Sequence, residues 1–551
     1  MILTRLLKNT KQRGFTGSRR IKAKPLFENS NKGFILLGAV LILAVVTVMI
    51  AVIFSLVLLS LTKSDRNSRQ ISVLDISEAG INYYLWHLSH NSTDYCDDTA
   101  CPPGIGPFGP YEHSFTNSSG EVIGTYTLWI APPGIAEGGK VTLCHTPPDP
   151  DQTITVAISA VQAHLDHGDT IGECGGGVTP GSNVVTVESR GDITGGNENR
   201  TIVAELGIPS FANYSIVADD TVNHLRIGAG TETFGPIHNN GGVRFDGIAH
   251  AIVTSSMASY DDPDHDDVDS PEHAWHSDII QESGVHTHQA DPNSVFLAGR
   301  QFPVPPVSFS AISTDLQNLR TLGQVAGQGV YYGSSGSLGY HIVLKTNDTF
   351  AIYRVTGVGN NCSGVPRENI TNEVLITNRN FPSNGVIFIE DKLWLDGKIN
   401  SAQLTIAAAR IGATPAQEKS VIINNDLEYT NYDGSDKLGV VAQKNVTVGY
   451  NSEGDFSGSS DNQELRIDAA MIAQNGRIGR NYYGAGCGGN YVRNNITVYG
   501  SLATHFRYGF AYTDGTGYQN RNLLYDPYLT LVPPPFFPTT GSYSILSWKE
   551  K

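Results

Sequence analysis

Two stretches of this chain concentrate side chains that can ligate metals or move protons. The first is Cys144-His145-Thr146-Pro147-Pro148, followed by His164-Leu165-Asp166-His167-Gly168-Asp169 and then Cys174. Two thiolates and two imidazoles can close a tetrahedral zinc site, so Cys144, His164, His167 and Cys174 are candidate ligands. Adjacent Cys144 and His145 do not easily reach the same ion. The competing reading is a Cys144–Cys174 disulfide with structural histidines, because thiols in an oxidising compartment usually pair. A catalytic Cys–His pair is disfavoured, since no strand-and-helix scaffold for one is visible in the flanking pattern.

The second stretch holds Asp261, Asp262, Asp264, His265, Asp266, Asp267, Asp269, Glu272, His273, His276, His286 and His288. Oxygen-rich clusters suit calcium. Read as an EF-hand loop from Asp262 it fails, with Asp267 where Gly is needed and His273 where Glu is needed. Val285-His286-Thr287-His288, as a strand, puts both imidazoles on one face. Asp262, Asp264, Asp266, His286 and His288 are therefore candidate calcium or transition-metal ligands, set against a plain solvated acidic loop.

The elements that must position these groups begin with Phe34–Leu61, a 28-residue run without a charge. It is long enough to cross a bilayer as a helix. Residues 1–33 before it carry nine Lys/Arg and one Glu, leaving 28 Lys/Arg against 52 Asp/Glu in the rest. Basic flanks stay cytoplasmic, so the acidic C-terminal domain is expected outside the membrane. An acidic domain with no basic stripe argues against nucleic acid as a partner. The chain has six cysteines, an even number that favours disulfides in an exported domain. Cys96 and Cys101 close a short loop and are the safest pair, and Cys362 with Cys487 follows by elimination. Beyond the apolar run, Ile71, Leu74, Ile81, Leu85 and Leu88 keep a helical stripe, and no proline interrupts Phe34 to His90. One continuous helix there would be about 85 Å long.

The string Lys32-Gly33-Phe34-Ile35-Leu36-Leu37 resembles the processing site of type IV prepilins and pseudopilins. The resemblance implies that a membrane aspartyl prepilin peptidase cuts between Gly33 and Phe34 and leaves the apolar helix on the mature chain. It also implies a helix half in lipid and half packed on a globular head. Ser77-Glu78-Ala79-Gly80-Ile81-Asn82-Tyr83-Tyr84-Leu85-Trp86 is similar to the Glu-Ala-Gly helix of PilX-type minor pilins. Glu78 on the stripe is then either a carboxylate reaching water or a charge that pairs with a neighbouring subunit. Gly38 stands where most members carry a Glu that pairs with an adjacent subunit. That departure favours a tip, priming or low-copy subunit.

Past residue 91 short β-branched runs alternate with Gly, Asn and Asp turns. A helix is expected at Ala311–Val325, and a hairpin at Tyr340–Leu344 and Thr349–Val355. Strands are expected at Val386–Ile389, Leu393–Gly397, Leu404–Ala407, Val421–Ile423, Val440–Val448, Ile472–Ile478 and Ile496–Gly500, with an Ala-Gln pair recurring at Ala402, Ala442 and Ala473. Strands this short bury a core by stacking, which points to a parallel β-solenoid; a β-sandwich is the competing architecture. Phe234–Gly247 fits the same scheme. Gly385–Asp391, Asn424–Tyr429 and Pro533–Gly541 look like strings in bacterial proteins with PilX-like N-termini, a likeness that implies shared architecture only.

The fold class is thus a long N-terminal transmembrane helix followed by a mainly-β domain. The expected organisation is a basic leader (1–33), the pilin-like helix (34–90), a β-rich start with the Cys96/Cys101 loop (91–140) and the Cys/His module (141–175). A β-rich region with the acidic loop (176–300), a small α/β insertion (301–380), the solenoid-like region (381–510) and a Pro-rich strap ending in a strand (511–551) follow. The expected function is a minor pilin or pseudopilin-like subunit of a type IV pilus or related assembly in the bacterial cytoplasmic membrane. Its expected partners are the membrane, other pilins with their assembly machinery, and prepilin peptidase. No enzyme activity or cofactor is expected beyond a structural zinc or calcium ion, because Glu390, Asp391, Asp396 and Asp426 read more simply as turn or surface residues than as a catalytic pair. The alternatives are a membrane-anchored polysaccharide-acting β-solenoid enzyme and a surface adhesin.

Overall fold

A computed structural model describes residues 32–551 except 93, 103–105, 134, 137–139, 146–151, 158–163, 165–169, 172–183, 263–280, 453–463 and 513. The chain divides into two units, residues 1–72 and 73–551. A single helix, Lys32–His90, runs through 59 residues. In its apolar part Thr47, Ser55 and Thr62 donate their hydroxyls to the carbonyls of Leu43, Ala51 and Leu58. No polar group of these side chains then has to seek a partner outside the helix, which is what a hydrocarbon environment demands. The segment is long and apolar enough to cross a membrane.

In the second unit the helix packs on an antiparallel sheet. Its strands are ordered Phe108–Thr116, Val122–Ala131, Val185–Ile193, Asn199–Gly207 and Ser544–Glu550. Alternate residues face the helix, Tyr126, Leu128 and Ile130 from one strand and Val185 and Val187 from the next. The buried helix face is Val73, Ile76, Ser77, Gly80, Ile81, Tyr84, His87 and Leu88. Of the apolar stripe of the sequence, Ile81 and Leu88 lie in this core and Leu74 and Leu85 pack at its edge, while Ile71 is 53% exposed. Small residues at the centre of the face let the backbones approach. A Cβ on Gly80 would collide with the Ser189 hydroxyl, and one on Gly191 would lie 2.6 Å from the Val73 carbonyl oxygen. The Ser77 hydroxyl fills the remaining gap, 2.9 Å from the Arg200 carbonyl oxygen, and accepts from the Gly191 N–H.

The rest of the second unit is built mainly from parallel ladders. One ladder runs through Val330–Tyr332, Val386–Ile389, Gln403–Ala408, Lys437–Ala442, Glu464–Ala473 and Val492–Thr504. It continues through Ile216–Ala218, Ile237–Asn239, Val253–Ser255 and Arg300–Gln301. A second ladder joins Gly339–Lys345, Leu393–Ile399, Val421–Tyr429, Val446–Val448 and Ile478–Arg480. A third joins Leu225–Ile227, Val243–Phe245 and Val285–His286. Equivalent positions of successive turns lie side by side. Ala408, Ala442, Ala473 and Thr504 form one row, so the Ala-Gln pairs at Ala442 and Ala473 are in register while the pair at Ala402 is not.

The spatial order of the ladder is not the chain order. Strand Ile216–Ala218 pairs with Leu502–Thr504, far away in sequence. Between Arg300–Gln301 and Val330–Tyr332 the chain crosses the outside of the ladder as a helix, Ile312–Gly323, within the span the sequence predicts. Ile312, Leu316 and Leu319 share one outer apolar cluster with Val386, Phe388, Ala407, Val441, Ala470, Ile472 and Ala503, while Ile387, Ile406, Val440 and Met471 face the interior. Both faces are apolar, as in parallel sheets covered on both sides. Residues 301–380 supply strand Val330–Tyr332 to the first ladder and Gly339–Lys345 to the second. The C-terminal segment seats Phe537 on the same outer face and is tied there by the Thr539 N–H on Asp315. Its last strand, Ser544–Glu550, pairs with Asn199–Gly207 of the antiparallel sheet. Disulfides join Cys96 to Cys101 and Cys362 to Cys487.

Candidate functional site

The edge of the third ladder gathers charged and aromatic side chains. Strand Val285–His286 lies in register with Val243 and Arg244, which places His286 beside Arg244. The antiparallel pair Ser259–Asp261 and Gln281–Ser283 brings Tyr260 and Asp262 to the same place. The His286 Nε2 is 3.2 Å from the Asp262 Oδ2, and the His288 Nε2 is 3.9 Å from that same oxygen. The Tyr260 hydroxyl is 3.2 Å from the other His286 nitrogen, Nδ1. Arg244 pairs with Asp246 at 2.7 Å and approaches Asp262 at 3.7 Å. Asp246 in turn accepts from the His288 N–H and the Thr287 hydroxyl. Asp262 and His286 are buried and His288 is half-buried. Burial pushes the Asp262 carboxyl up, but the hydrogen bond and charge of His286, with Arg244 and His288, outweigh it and hold the group below the usual carboxylate range.

Of the ligands expected in this stretch, the structure brings together Asp262, His286 and His288. Asp264 and Asp266 lie outside the described residues. The sequence reading missed Arg244, Asp246 and Tyr260. The available signal was the alternation of Arg244 and Asp246 with Val243 and Phe245 in the sequence.

In the Cys/His module, Cys144 sits on strand Lys140–His145, opposite Thr153 and Thr170. The rings of His145 and His164 are 5.3 Å apart. His167 and Cys174 lie outside the described residues. A further carboxylate–imidazole group, His87 with Asp94 and Asp98, lies at the end of the long helix. There Asp94 accepts the backbone N–H groups of Cys96 and Asp98 and so shapes the disulfide loop.

A buried polar cluster lies on the second ladder around Asp396, which the sequence reading took for a turn or surface residue and which is 3% exposed within strand Leu393–Ile399. His341 donates from Nδ1 to Glu373 at 2.8 Å and from Nε2 to Asp396 at 3.0 Å. Asn424, one turn further on, donates to the same Asp396 oxygen. Burial pulls the His341 pKa down, but the two carboxylates outweigh it and raise it to about 9.

The residues expected to serve processing and assembly all lie on the long helix. Gly33 and Phe34 fall in its first turn. Gly38 has open space around its Cα, and Glu78 is exposed.

No protein-family model matches the chain. No curated protein matches it in sequence. Among solved structures, the competence-associated pilin ComZ from Thermus thermophilus aligns over 88% of this chain and 97% of its own, with 12% identity and a TM-score of 0.24. A likeness at that level carries no weight for function.

Proposed function

We propose that this chain is a non-enzymatic subunit of a type IV pilus or related surface assembly in bacteria. It is held in the cytoplasmic membrane by Phe34–Leu61 and carries its β domain outside. The observation that carries this reading is one uninterrupted helix, Lys32–His90, that begins as an uncharged span and ends locked in a sheet by Gly80, Ser77 and Gly191. Such a helix serves as anchor and as structural spine in one piece. In this reading prepilin peptidase cuts after Gly33, and neighbouring pilins contact the exposed apolar helix. The missing carboxylate at Gly38 makes the chain a minor, tip or priming subunit, and the stacked ladders form a β-solenoid head.

A polysaccharide-acting enzyme is less well supported. The carboxyls of Asp468 and Asp526 are raised by burial, but they are 0% and 2% exposed and beyond the reach of a polymer. The test is mass spectrometry of the mature N-terminus in cells with and without prepilin peptidase. A start at Phe34 that depends on the peptidase is expected. An intact leader, or a start beyond Ser60, overturns the reading.

A further inference from the structure

We propose that Asp262, His286 and His288 bind a divalent transition-metal ion of the zinc class. The donor atoms of the three residues all lie within 4.8 Å of one another. Donors about 2.0–2.1 Å from a tetrahedral zinc ion stand roughly 3.3 Å apart. The 3.2 Å and 3.9 Å separations from Asp262 to the two imidazoles are close to that spacing. A hydrogen bond to Asp262 accounts for the position of His286. The His288 Nε2 approaches the same oxygen to 3.9 Å, beyond hydrogen-bond range. One ion between the three donors would be within reach of the carboxylate and both imidazoles.

The surroundings match those of a ligand set. A metal-bound imidazole donates its second N–H to a fixed partner, and Tyr260 stands at the Nδ1 of His286. The backbone that carries His288 is pinned by Asp246, which Arg244 holds in turn. Two nitrogen donors out of three select zinc, cobalt or nickel over calcium, which takes six to eight oxygens. The proposal is independent of the pilus reading, since it concerns the β domain alone.

The test uses the full chain in detergent, titrated with Co2+ and then Zn2+. We expect one Co2+ per chain with the visible absorption of nitrogen- and oxygen-ligated cobalt, displaced by Zn2+, and a melting temperature that rises with Zn2+ by mass action. His288→Gln and Asp262→Asn should each weaken binding about 100-fold or more, and Tyr260→Phe about 10-fold, as loss of an outer partner does. The partly exposed His288 makes His288→Gln the variant that keeps its fold, checked by an unchanged metal-free melt. Absence of stoichiometric binding overturns the proposal. So does binding that is unchanged in His288→Gln, or a sulfur-to-cobalt charge-transfer band, which would place the ion at the Cys144 module.

Discussion

Gly80 of the long helix rests directly against Ser189 of the antiparallel sheet, with no room for a side chain between them. The hydroxyl of Ser189, the ring of Tyr126 and the methyls of Leu128 together occupy the position a Cβ would take. The helix is held by shape at this point as much as by apolar area, because close-packed interiors resist added volume.

Replacing Gly80 by Ala in an open helix would stabilise it by about 1 kcal/mol. Here overpacking should reverse the sign, and Gly80→Val should cost about 1–3 kcal/mol. Ser189→Gly in the same chain should recover part of that loss. Gly38→Ala, with nothing within 4 Å, should meet no such clash and keep the helix-propensity gain of about 1 kcal/mol. Chemical denaturation of the four variants measures this, and a neutral Gly80→Val would show that the contact is not tight.

The His341 cluster gives the β domain a pH dependence. The folded pKa of about 9 lies above the ordinary histidine value of 6.5. The folded state therefore binds the proton more tightly than the unfolded state. The stabilisation is complete below about pH 6.5, declines between there and pH 9, and is absent above. Its size is on the order of 3 kcal/mol. His341→Gln should flatten the stability profile across that window, and an unchanged slope would locate the titration elsewhere.

The two disulfides should contribute unequally. Cys362–Cys487 closes a loop of 125 residues and Cys96–Cys101 a loop of 5. In the chain-entropy account the first restricts the unfolded chain by about 5 kcal/mol and the second by about 2. Replacing each pair by serine and comparing denaturation midpoints checks the order. Equal shifts would contradict it.

Arg480 is 1% exposed. Its guanidinium lies over the rings of Tyr450, Tyr483 and Tyr518 and donates to the carbonyls of Tyr450, Asn490 and Tyr491. Burial lowers its pKa. A flat fork with several donors suits this cage and a single ammonium does not. Arg480→Lys should cost about 3–5 kcal/mol, as other losses of a buried charge's partners do. A thermal melt within a few degrees of the parent would count against this arrangement.

Local patterns made several elements legible. An uncharged apolar run from Phe34 to Leu61, and a helical stripe beyond it with no proline in either, specify a helix from Phe34 to His90. Short β-branched runs between Gly and Asn marked Val386–Ile389 and the Gly339–Lys345 hairpin strand within a residue or two. The stripe Leu74, Ile81, Leu85 and Leu88 reached the helix–sheet core, but its centre, Ser77 and Gly80, was missed because neither registers in an apolar periodicity. His286 and His288 were readable as sharing a face, since strand alternation is local.

The sequence by itself determined where helix and strands form and which residues are apolar enough to seek an interior. Only the tertiary structure decided that Leu502–Thr504 lies beside Ile216–Ala218, that Glu373 and Asp396 meet at His341, and that Asp262 comes to His286. The physical reason is register. Periodicity records which side of a strand is buried, whereas a neighbour across a parallel ladder is set by hydrogen bonding between segments whose separation in the chain leaves no local trace.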